Sequence, residues 1–365
     1  MPRSFRIALP VAAALIGPFA LSLSAGRAPA PSDPPAIEVA FQEWETPTAK
    51  SFPHDPAVAP DGSAWYTGMR ANLLGRVDPK TGEVKEYKLP TENSGPHGIV
   101  ADAAGNIWYT GNYSGLIGKL DPKTGKVTEY KMPDPKARDP HTLIFDEAGT
   151  LWFTVQGGNF VGRLDPASGK VDLVPAPTPD SRPYGIVVNS RGVPFFDLFN
   201  TNKIGSIDPA SLAIREYTLP SPEARPRRIA IGRDDIVYYT DFARGVLGRL
   251  EPASGKVTEF PTPGGARSQP YGMAVTSDGA VWFSESGVQP NTLVRFDPGT
   301  GRMQAWPIPS GGGVVRHMVA APNDELWLAC SGVDRIARAR WTVAAGGPVH
   351  RRITCSGNRF AVRQR

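Results

Sequence analysis

The chain has only 5 histidines, and four of them, His54, His97, His141 and His317, fall at one place in a recurring pattern. The other copies carry Tyr184, Arg227 and Tyr271 there. In six copies a proline comes directly before, and in the seventh it is Arg316. Imidazoles that converge near neutral pH serve proton transfer or metal ligation. His97, His141 and His317 are therefore the candidate catalytic groups, and a transition metal on the His cluster is the matching cofactor expectation. A Pro-His/Tyr-Gly consensus that merely bonds local backbone would account for the same residues. Arg227, Arg228 and Arg316 could hold an anionic or carbonyl group. With His54, Tyr184 and Tyr271, Arg227 and Arg316 complete the candidate substrate contacts.

Those residues meet only if the fold is a ring. Successive copies lie 43, 44, 43, 43, 44 and 46 residues apart, the period of a four-stranded β-propeller blade. Each copy parses into four short strands, as in Gly98–Ala101, Ile107–Thr110, Ile117–Leu120 and Val127–Tyr130. Between the third and fourth strands stand the turns that begin at Asp78, Asp121, Asp165, Asp208, Glu251 and Asp297, each followed by Pro. Pro fixes φ, the acid bonds backbone N–H groups, and a final Gly accepts positive φ, so these are turns rather than calcium sites. The seventh copy lacks such a turn and a fourth strand. The segment Val39–Pro47 resembles the missing strand and would close the ring. The expected fold is all-β, a seven-bladed propeller over 37–341.

In such a ring the first residues of each inner strand surround the mouth of the central channel. Beside them come the residues that end each second strand: Gly68, Gly111, Val155, Leu198, Asp241, Glu285 and Cys330. Of these only Asp241 and Glu285 are ionisable carboxylates, and pairing with the neighbouring arginines is one role open to them.

Gly 39 and Pro 38 make up about a fifth of the chain, which suits many short strands and tight turns. The formal charge is +5, but three arginines lie in residues 1–28 and five in 342–365, with no acids in either, leaving −3 on 29–341. Residues 1–28 have the basic, apolar and small-residue layout of a secretory signal peptide, ahead of a linker at 29–36 and with a basic tail at 342–365. The expected location is the periplasm or the exterior, with no membrane contact after cleavage. Without a basic patch interleaved with aromatics, no nucleic-acid partner is expected. Cys330 and Cys355 would suit one bridge in an oxidising compartment.

Pro-His-Gly-Ile on the inner strand, Trp-Tyr-Thr or Trp-Phe-Thr on the second, Ile-Gly-Lys/Arg-Leu on the third and Glu-Tyr-x-Leu-Pro on the fourth resemble the streptogramin B (virginiamycin B) lyase family, over about 39–341. The resemblance implies elimination that opens a cyclic depsipeptide, with a His base and Mg2+ held near glutamates. In that family the base lies in a Pro-His pair on the sixth blade, and the seventh supplies Glu-Pro-His and a Glu past its Trp-Phe strand. Here the sixth blade has Pro270-Tyr271, and the seventh has Val315-Arg316-His317 with no Glu after Trp327-Leu328. Rotated round the ring, Pro96-His97 and Asp139-Pro140-His141 give a better match, with Gln156 where a Glu stands. That register makes His97 the base, His141 its partner, and Asp139 with Gln156 the neighbourhood of Mg2+.

Two functions follow as expectations. One is an exported, monomeric carbon–oxygen lyase acting on a cyclic peptide or another small ester-bearing molecule. The other is a non-catalytic propeller that binds a ligand or protein partner on the same face. A calcium-dependent lactonase would need acidic and Asn ligands where this mouth has His, Tyr and Arg.

Overall fold

The computed structural model describes residues 37–343. Seven four-stranded antiparallel sheets are present. Six run in simple chain order, and the seventh is completed by the strand Ile37–Glu45, which pairs with Arg335–Val343. That is the closure expected from the missing fourth strand. It is locked by Trp44, whose ring stacks on Trp327 of the seventh blade at 5.3 Å.

The strand motifs have a packing cause. Trp65, Trp108, Trp152, Trp282 and Trp327, one from each of five second strands, are all buried. The apolar clusters bridge neighbouring blades: Trp65 and Leu74 of the first pack with Ile99, Ile107 and Tyr109 of the second. The glycine of the third strand is required by the aromatic ring opposite it. A Cβ on Gly118 would run into the Tyr109 ring, and one on Gly162 into Phe153. The fourth-strand Glu accepts the hydroxyl of that second-strand Tyr, as Glu86 does from Tyr66 at 3.0 Å. The Asp-Pro turns behave as read: Asp78 Oδ1 accepts the N–H groups of Lys80 and Thr81, and Gly82 has φ +78°.

No helix among the described residues is long and apolar enough to cross a membrane. Residues 1–36 and Cys355 lie outside the described part, and with them the signal-peptide reading, most of the basic tail and the proposed bridge. Cys330 is fully buried at the end of its strand, where desolvation raises its thiol pKa.

Candidate functional site

Strand register decides which residues face the mouth. In every blade the residue that opens the inner strand pairs with the last residue of the second: Pro53 with Gly68, Pro96 with Gly111, Pro226 with Asp241 and Pro270 with Glu285. In the seventh blade it is Val315 that pairs with Cys330. Val315 thus occupies the proline place, and Arg316, not His317, stands in the ring. The expectation for His317 is corrected by one residue. A bulge or irregularity follows the opening pair in each blade.

The upper layer is His54, His97, His141, Tyr184, Arg227, Tyr271 and Arg316. Three imidazoles stack in series, with centroids 3.7 Å apart from His54 to His97 and again from His97 to His141. Tyr184 continues the stack at 3.8 Å from His141, and its hydroxyl bonds that of Tyr271. Only 2–3% of His54, His97 and His141 is exposed. Packed rings therefore fill the mouth.

Beneath them lies Arg228, which is 1% exposed. Its Nη2 donates to Asp55 Oδ1 at 2.7 Å, Nη1 to Thr142 Oγ1 at 3.0 Å, and Nε to the Arg316 carbonyl at 3.1 Å. The same Asp55 oxygen lies 2.8 Å from His54 Nδ1. Burial alone would raise Asp55, but Arg228, His317 and the His54 hydrogen bond hold it well below the usual carboxylate range. Ionised Asp55 places a proton on His54 Nδ1.

The imidazoles are neutral at neutral pH. Burial lowers His54 to about 4 despite Asp55, and lowers His317 to about 3 with help from Arg228. His97 and His141 are well below their ordinary value, through burial and then, for His97, the neighbouring His141 and, for His141, Arg228. His97 Nδ1 and His317 Nδ1 have no hydrogen-bond partner among the described residues.

In five blades a second-strand hydroxyl pins the inner strand of the next blade. Thr110 Oγ1 accepts from Gly98 N at 2.8 Å and donates to the His141 carbonyl at 2.7 Å. Thr67 and Thr154 make the same donation to His97 and Tyr184. In the fourth blade Asp197 stands in that place, accepting from Gly185 N. Burial pushes its carboxyl up to about 8, so it carries a proton at neutral pH, as the threonines do. Sequence reading missed Asp55, Arg228's partnership, Thr142 and Asp197. One repeat column holds Asp55 and Arg228, and that pair of opposite charges was the available signal.

The other candidates are occupied elsewhere. Asp139 spends both carboxylate oxygens on Gly157 N and Gly158 N, while Gln156 N donates to the Asp139 carbonyl at 3.3 Å. Mg2+ takes free oxygen ligands, and both carboxylate oxygens of Asp139 are already accepting from backbone N–H groups. His54, Asp55 and His97 bring ligating atoms within 4.8 Å of one another. Imidazole suits a transition metal, yet Asp55 is committed to Arg228 and His54. Asp241 pairs with Arg244, not Arg227, and Glu285 holds Gly264 N and the Thr292 hydroxyl.

Below the Arg228 layer the channel opens into a cavity of about 380 Å³. Apolar residues such as Val58, Ile144, Val187 and Val319 line it together with Thr142, Arg228 and His317.

The family model described as the virginiamycin B lyase family matches residues 36–198 and 165–346. No curated protein matches the chain. Among solved structures, a streptogramin B lyase is 25% identical with a TM-score of 0.76, covering 83% of this chain and 98% of its own. Virginiamycin B lyase from Staphylococcus aureus is 26% identical with a TM-score of 0.75, covering 83% and 99%. A catalytically inactive His-to-Ala variant of that enzyme, solved with quinupristin, matches to the same degree. With a model match along nearly the whole ring and the seven blades in place, the chain belongs to the virginiamycin B lyase family.

Proposed function

We propose that this protein is a ligand-binding propeller of the family, and that its His arc plugs the mouth rather than acting as a base. One observation carries the reading. At the two blades where the family resemblance calls for histidine, register places Tyr271 and Arg316. The stacked imidazoles support it: His54, His97 and His141 are buried and too weakly basic to drive proton abstraction efficiently. The ligand is a small molecule or cyclic peptide held over the aromatic and arginine side chains of the mouth. The leader-like residues 1–28 make export to the periplasm or the exterior part of the proposal.

The test uses a cyclic depsipeptide of the quinupristin class in equilibrium dialysis and, in parallel, in product analysis. Retention without a linear product supports binding. A linear product overturns it.

A second reading has its own support. His97 Nδ1 is buried, neutral and unpartnered, so a rearranged mouth would present a nitrogen able to take a proton in a carbon–oxygen lyase. That reading requires His97→Ala and His141→Ala to abolish turnover.

A further inference from the structure

We infer that the mouth holds an oxyanion between Arg227 and Arg316, so that the ligand of this propeller carries a carboxylate or phosphate group. The inference rests on the binding reading above and narrows its ligand class.

Three guanidiniums crowd one part of the mouth, and only Arg228 is neutralised there. Arg227 and Arg316 form no ion pair among the described residues, and the Nε of each is buried without a partner. Neighbouring carboxylates are committed elsewhere, Asp55 to Arg228 and Asp241 to Arg244.

Their setting is built from aromatic faces. The Arg227 guanidinium lies 4.1 Å from the Tyr271 ring centre, 4.2 Å from Phe242 and 4.7 Å from Phe199. Arg316 lies 4.9 Å from Phe52 and 5.9 Å from the same Tyr271. Stacking occupies the faces of a guanidinium and leaves its N–H edge in the plane, and at Arg227 that edge is shared with the Tyr184 and Tyr271 hydroxyls. That edge matches a carboxylate or phosphate with two parallel hydrogen bonds. Both arginines are half-buried, which strengthens the attraction relative to a solvated surface charge. The ring body around them is net negative, so the positive mouth is a local feature rather than the protein's general charge.

Carboxylate and phosphate share this fork geometry, and the experiment separates them. Benzoate and inorganic phosphate are titrated separately into the full protein by calorimetry at low ionic strength. At least one should bind with one site per chain, and the tighter one names the group. Arg227→Met and Arg316→Met should each weaken that binding at least 10-fold with an unchanged circular dichroism spectrum. Arg316→Lys, which keeps the charge and loses the fork, should fall between wild type and Arg316→Met; it also serves as the readout if the Met variants do not fold. Absence of binding by both anions overturns the inference, as does binding that survives all three substitutions. Depsipeptide turnover alongside intact anion binding would instead overturn the non-catalytic reading and leave this site standing.

Discussion

Asp55 of the first blade and Arg228 of the fifth, which are not neighbours in the ring, meet across the central channel at 2.7 Å, each side chain 1% exposed. Removing one partner of a buried pair strands the other charge, whereas removing both need not be costly. Asp55→Ala should therefore destabilise the protein by about 3–5 kcal/mol in urea unfolding. Asp55→Ala combined with Arg228→Met should recover most of that loss. Additive losses would show that the two residues act independently.

The hydroxyl pins between blades give a second expectation. Thr154 Oγ1 accepts from Thr142 N at 3.3 Å and donates to the Tyr184 carbonyl at 2.6 Å. Thr154→Val keeps the shape and leaves a buried carbonyl and N–H unsatisfied, at a cost of roughly 1–3 kcal/mol. Thermal unfolding of the variant reads this directly, and an unchanged midpoint would remove the pins from the account.

Asp197 predicts a loss of stability with rising pH that is spread from about pH 4 to about pH 8 and levels off above it. Its folded pKa, about 8, lies above the ordinary 3.8 because burial disfavours the charge. The native state therefore holds the proton more tightly, and the stabilisation present at low pH fades as pH rises from about 4 to about 8. Arg228 and Arg227 face this carboxyl and temper the effect. Wild-type stability should fall between about pH 7 and 8, above the range where unfolded histidines titrate. Asp197→Thr, the residue of the neighbouring blades, should flatten that slope.

The histidines work in the opposite direction. The folded values of His54 and His317, about 4 and about 3, lie below the ordinary 6.5, so the unfolded chain takes up protons first. Their contribution is complete above about pH 6.5 and is lost as pH falls toward 4 and 3. His Cε1 resonances of the ring body should stay at neutral-imidazole shifts down to pH 5 by NMR. Titration of His54, His97 or His141 between pH 7 and 6 would contradict the buried stack.

Strand-level repetition made the ring readable in advance. The 43–46 residue period, the Asp-Pro turns and the incomplete seventh copy are local signals that dictate blades and closure. The mouth was only half readable, because a bulge and a substituted proline decide which of two successive residues points into the ring. At Val315-Arg316-His317 the proline marker is missing, and the sequence pattern alone favoured the histidine over the arginine. Asp139 shows a different limit: an acidic residue beside Pro-His resembles a ligand, while its carboxylate is used to order the Gly157-Gly158 loop. Side-chain commitment of this kind depends on contacts between segments, which spacing does not reveal.

The central claim is that the mouth binds without His-driven elimination. Mass spectrometry of the cyclic depsipeptide after prolonged incubation with the purified protein, with and without added Mg2+, tests it most directly. The account predicts the intact ring at the level of the protein-free control. Accumulation of the linear, alkene-bearing isomer, equal in mass to the ring and told from it by retention time and fragmentation, and abolished by His97→Ala, would contradict it.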